Sequence, residues 1–240
     1  MPSPTADNLP SPAATEVPTA DGPMPAQLWR PPSGRGPGLV LVQEIFGVSA
    51  YMQARAADLA GLGYLVLLPD LYWRLGETVD ESRPDVLEQG LGLMARLDFG
   101  AAVADTAAAL AALRARPEVD GGAGLVGFCL GGGIAFAAAA SAAPDVLVSY
   151  YGSALPDLLD LAPAVTAPSL HHFGTADDYL PMEQVERIRQ AVERPGVEVH
   201  LHPGAGHAFD NPSPAFHHAE ASAAAWAQTV EFLRRELPAA

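Results

Sequence analysis

The sequence predicts an α/β fold, a mostly parallel sheet with helices on both faces. Three observations carry this. Short continuous apolar runs such as Gly38–Val42 and Tyr64–Leu68 lack the alternation of a half-exposed strand, so they read as strands buried on both faces. Between such runs lie segments with apolar residues at helical spacing, and strands alternating with helices indicate a parallel sheet. No boundary-like linker interrupts the series, which predicts one domain.

The elements follow in order. Residues 1–14, rich in Pro, Ser, Thr and Ala, predict a disordered tail, and 15–240 the folded domain. Thr15–Thr19 and Pro25–Arg30 predict a hairpin across Ala20-Asp21-Gly22-Pro23. Gly38–Glu44 is a buried strand ending in a carboxylate. Ala50–Leu62 has helical spacing through Met52, Ala56, Leu59 and Ala60, with stop signals at Gly61 and Gly63. Tyr64–Leu68 is the next strand. Leu71–Gly90 is more polar and predicts loop and short helix over the top of the sheet. Asp98–Arg116 is an Ala-rich helix, Gly122–Phe128 a strand, and Leu130–Ala142 a small-residue helix. Asp145–Tyr151 and Pro168–Gly174 are strands, Met182–Glu193 a helix, Val197–His202 the last strand, and Ser213–Leu237 the closing helix.

Composition excludes several functions. The formal net charge of −15 opposes nucleic-acid binding, which depends on neutralising phosphates. All 13 basic residues are arginines, and the missing lysine removes Schiff-base chemistry, a pyridoxal phosphate anchor and the Walker lysine together. The apolar runs are too short to span a membrane, and the first residues lack the basic and apolar regions of a signal peptide. One cysteine in 240 residues forms no internal disulfide, so a cytoplasmic location is expected, with a monomer as the default state.

That cysteine stands in Gly127-Phe128-Cys129-Leu130-Gly131, between a strand and a helix. This is the layout of a nucleophile elbow, in which a tight turn exposes the nucleophile and the helix N-terminus faces it. In a parallel sheet, catalytic residues gather beyond the carboxyl ends of the strands. Glu44, Asp177, Asp178 and His207 all meet that condition. Taken singly, each has a structural reading. Cys129 can be a small core hydrophobe, His207 a loop histidine on a carbonyl, Asp177 or Asp178 a helix opener, with Asp178 favoured, and Glu44 a cap. Taken together, Cys129, Asp177 and His207 follow the order nucleophile, acid, histidine of α/β-hydrolases. A cysteine nucleophile needs an adjacent imidazole, and the imidazole needs a carboxylate to fix its tautomer.

Five spaced motifs make the resemblance specific: Gln43-Glu44-Ile45-Phe46-Gly47-Val48, Pro69-Asp70-Leu71-Tyr72, Gly127-Phe128-Cys129-Leu130-Gly131-Gly132, Tyr150-Tyr151-Gly152 and Ala205-Gly206-His207-Ala208-Phe209. From about Gly38 to the C-terminal helix the chain resembles the dienelactone hydrolase family. The resemblance implies an eight-stranded α/β-hydrolase fold and cofactor-free hydrolysis of a small ester or lactone through a thioester. It maps the nucleophile to Cys129, the base to His207 and the orienting carboxylate to Asp177. It implies that Glu44 hydrogen-bonds the resting thiol, and that the N–H groups of Ile45 and Leu130 form the oxyanion hole.

The chain departs from the family's pattern where two arginines bind the substrate carboxylate. The aligned positions here read Leu87, with Arg83 nearby, and Phe209-Asp210-Asn211. Arg74 and Arg83, with Tyr72 and Phe46, are the remaining candidates for substrate binding. A catalytically silent module on the same fold is one alternative. A metal-binding or sensor protein using His200-x-His202 and His171-His172 is another, although adjacent strand residues point to opposite faces.

Overall fold

The computed structural model describes residues 11–239. Eight strands form one sheet in the order β1-β2-β4-β3-β5-β6-β7-β8. β1 (Ala13–Thr19) and β2 (Gly22–Trp29) make an antiparallel hairpin, and β2 also runs antiparallel to β4 (Leu65–Pro69). Its turn is only Ala20-Asp21, because Gly22 takes φ +132° and lets pairing begin at once. β1 includes Ala13 and Ala14, which the composition had assigned to the tail; Ser11 and Pro12 precede it without regular structure, and residues 1–10 of that prediction lie outside the described residues.

The other strands are parallel: β3 (Gly36–Val42), β5 (Val119–Phe128), β6 (Leu147–Tyr150), β7 (Ser169–Gly174) and β8 (Val197–His202). Every residue of β3, β4, β6 and β7 is buried, as the unbroken apolar runs require. The helices are α1 (Ala50–Gly61), α2 (Val86–Arg96), α3 (Phe99–Arg114), α4 (Leu130–Ala142), α5 (Met182–Val192) and α6 (Ala219–Glu236). α2, of 11 residues, reaches beyond Leu71–Gly90, the segment whose polarity predicts loop and short helix. α6 starts six residues later than expected: Pro212 and Pro214 hold the preceding stretch in turns, and His218 caps the helix by accepting from the Ala221 N–H.

Register positions the site. Val42 pairs with Gly127, Phe128 with Tyr150, and Gly174 with His202, so the carboxyl ends of five strands finish nearly level. α4 lies so close behind β3 that a Cβ on Gly131 would sit 2.3 Å from the Val42 carbonyl oxygen. Only glycine allows that approach. Among the described residues no helix is long and apolar enough to cross a membrane.

Candidate functional site

Cys129 occupies the turn between β5 and α4 with φ +52° and ψ −116°, a strained conformation for a side-chain-bearing residue. The flanking glycines make the turn possible. A Cβ on Gly127 would fall 2.1 Å from the Gly131 carbonyl oxygen. The turn is held by Cys129 N–H donating to the Tyr150 carbonyl and by Gly132 and Ser153 N–H groups donating to the Cys129 carbonyl. The thiol is thus fixed over the N-terminus of a buried helix.

His207 Nε2 lies 3.1 Å from Cys129 Sγ, and His207 Nδ1 lies 2.8 Å from Asp177 Oδ2. Asp177 is itself held by its other oxygen, which accepts from the Tyr179 and Leu180 N–H groups. Burial opposes charge on His207, but its hydrogen bonds to Asp177 and Cys129 outweigh it and raise its pKa to about 10. The ring therefore holds its proton at neutral pH next to the sulfur.

Glu44, two residues beyond β3, is buried, and Asn211 Nδ2 donates to its Oε1 at 2.7 Å. Burial raises its pKa to about 8, against the lowering effects of Asn211 and His207. At pH 7 Glu44 is mostly a neutral acid. Its partner is Asn211 rather than the thiol, which meets His207 and, at a long 3.9 Å, Ser153 Oγ. The implied bond from Glu44 to a resting thiol is therefore absent from this arrangement. Asn211 is held in turn by its own N–H, which donates to the Ala208 carbonyl, and by its Oδ1, which accepts from the Ser213 N–H; at its neighbour Asp210, Arg55 makes two hydrogen bonds, and Tyr51 and Ser222 donate as well.

A cleft opens above Cys129. Glu44, Ser153, Tyr179 and His207 line it beside the apolar Ile45, Phe46, Leu87, Leu91, Met94, Ala208 and Phe216. Leu130 opens α4, where the first N–H groups have no partner within the helix. The Ile45 carbonyl accepts from the buried Tyr72 hydroxyl at 2.9 Å, which braces the turn from Gln43 to Gly47.

Set beside known proteins, this chain matches the dienelactone hydrolase family model over residues 24–237. The chain belongs to the dienelactone hydrolase family. It is 37% identical over 216 residues to a carboxymethylenebutenolidase of Pseudomonas sp. (strain P51), spanning 89% of this chain and 90% of that one. A carboxymethylenebutenolidase of Rhodococcus opacus is 32% identical over 85% of this chain and 83% of its own length. Among solved structures, a dienelactone hydrolase-like promiscuous phosphotriesterase, P91, from metagenomic libraries superposes with a TM-score of 0.77 at 25% identity, covering 95% of this chain and 99% of that one. As a member of the dienelactone hydrolase family the protein is an α/β-hydrolase, and its sheet of eight strands is the one that family membership implies.

Several candidates lie elsewhere. Arg74 is bound to Asp21 and Asp105 and stacked over Trp73, and Arg83 is exposed and paired with Asp85; neither lines the cleft. Tyr72 braces the turn from beneath, leaving Phe46 as the one substrate-binding candidate in the wall. Asp178 is exposed, and α5 begins after Pro181 without a side-chain cap. His171 points to Ser169, whereas His172 bonds His202 and Thr229 in a buried chain away from the cleft. Among the described residues no group of three or more His, Cys, Asp or Glu is placed to hold a metal ion. Motif reading missed Ser153, Tyr179 and Phe216, as well as Leu91 and Met94, which continue from Leu87 along α2. The spacing of four and three from Leu87 is a helical stripe, the one signal that finds Leu91 and Met94.

Proposed function

We propose that this protein hydrolyses small esters or lactones by thiol attack, with Cys129 as nucleophile, His207 as base and acid, and Asp177 as the group that orients the ring. One observation carries the reading: the unbroken line Cys129 Sγ, His207 Nε2, His207 Nδ1, Asp177 Oδ2, at 3.1 Å and 2.8 Å, at the floor of a cleft. The family relatives named carboxymethylenebutenolidase support the same reaction class.

In this reading His207 already holds the proton beside the sulfur, and it stays protonated as the sulfur bonds to the substrate carbonyl carbon. The developing oxyanion accepts from the N–H groups of Ile45 and Leu130. Collapse breaks the ester C–O bond, and His207 returns the proton to the leaving oxygen. A water then gives its proton to His207 and attacks the thioester, releasing the acid and restoring the thiolate. Glu44 lines the cleft as a mostly neutral acid at pH 7, so its second oxygen carries an O–H donor while Oε1 accepts from Asn211.

The test is turnover of a dienelactone and of a small neutral aryl ester by wild type and Cys129→Ala. Cys129→Ala is expected to lose ~10³-fold or more of the rate, as removal of a nucleophile does when its partners act as a unit. Undiminished turnover in Cys129→Ala would sink the mechanism.

A further inference from the structure

The charge of the substrate follows from what the cleft does and does not contain. Leu87, Leu91 and Met94 from α2 face Ile45, Phe46 and Phe216 across the space above Cys129. None of the thirteen arginines is among its lining residues, and the chain has no lysine. Arg55 is committed to Asp58 and to the fully buried Asp210. The one cation in the cleft is His207, and its charge is engaged on both sides by Asp177 and Cys129. The remaining ionisable lining groups, Glu44 and Tyr179, offer no positive charge, and Glu81 adds a further carboxyl to the neighbouring hollow that shares Glu44.

A carboxylate entering this space would lose its water and gain no ion pair. We infer that the substrate is an uncharged ester or lactone with an apolar acyl portion, and that a carboxylate on that portion is excluded rather than clamped. The inference rests on the hydrolase reading for the word substrate, but the selectivity belongs to the cleft and can be read without turnover.

Cys129 is the sole thiol, so a maleimide reports directly on entry to the cleft. The Sγ–H adds across the maleimide double bond, with sulfur to one carbon and the proton to the other, and nothing leaves. Rates of N-ethylmaleimide, N-(carboxyethyl)maleimide and N-(aminoethyl)maleimide would be followed by intact mass and divided by their rates with mercaptoethanol. The uncharged reagent should be favoured over the carboxylate by roughly tenfold or more, the scale expected of an unpaired charge in a desolvated site. The cationic reagent should gain no advantage over the uncharged one. Leu87→Arg, at an exposed position on the cleft mouth, should raise the relative rate of the carboxylate by about fivefold or more, the size of a new partly solvated charge pair.

Equal or preferred reaction of the carboxylate in wild type overturns the inference, as does a cationic preference or a failure of the uncharged reagent to react. A neutral aryl ester and its carboxylate-bearing counterpart, compared by kcat/KM, should follow the same order. Failure of hydrolysis with the maleimide order intact would count against the proposed function and leave the cleft selectivity standing.

Discussion

Glu44→Gln isolates the energetic cost of the buried carboxyl. The variant keeps the shape and the oxygen that accepts from Asn211, and removes only the titration. In the fold Glu44 titrates at about 8, against 4.5 for a free glutamate. Between those values the unfolded chain has released the proton and the native protein keeps it. The native state then binds more protons than the unfolded one, so this group makes stability fall as pH rises. The contribution is fully present below 4.5, is lost progressively across the interval and is flat above about 8. At ~1.4 kcal/mol per unit, the interval is worth on the order of 5 kcal/mol. Glu44→Gln does not titrate, so its stability relative to wild type should grow by that order from pH 4.5 to 8. Urea unfolding followed by the fluorescence of the three tryptophans, at four or more pH values for both proteins, measures the difference directly. Parallel stability curves across the interval would refute the reasoning, because they would mean that Glu44 titrates alike in the folded and unfolded chain.

Two further outcomes are expected. Arg55→Ala strips the bidentate partner from the fully buried Asp210 and should cost about 3 kcal/mol, with most of it recovered in the Arg55→Ala, Asp210→Asn double variant; an unchanged urea midpoint would show that Tyr51 and Ser222 suffice. Gly131→Ala drives a methyl to 2.3 Å from the Val42 carbonyl oxygen, backbone against backbone, and should cost about 3 kcal/mol and displace the thiol; wild-type stability and thiol reactivity in that variant would contradict the close packing.

The strands and the turn that carries Cys129 were legible in the chain because both are local signals. Continuous apolar runs announce buried strands, and Gly127 to Gly131 announces a turn that only glycines permit. What was not legible depends on distant partners. Nothing near Arg74 in sequence says that Asp105 will hold it, and nothing near Glu44 says that Asn211, 167 residues away, will take the bond expected of the thiol. α2 was hidden for another reason. Its leucines at 87 and 91 face the cleft and are 38% exposed, and Gly90 and Gly92 dilute the helical pattern. Gly90 has its own cause, since a Cβ there would come within 3.1 Å of the Phe46 ring and 3.2 Å of Ile45.

α2 divides the protein's tolerance to change. The thiol rests on α4, whose backbone is wedged against β3 and β6 so closely that single methyl groups do not fit, and that part of the molecule leaves selection almost no room. One side of the wall above the thiol is an amphipathic helix at the surface, where a leucine can become an arginine or a phenylalanine at little cost to stability. New substrates can thus be explored by altering a few positions on one helix while the bond-breaking apparatus stays as it is. Relatives that share the elbow but differ along this helix are expected to share a reaction and divide its substrates among themselves.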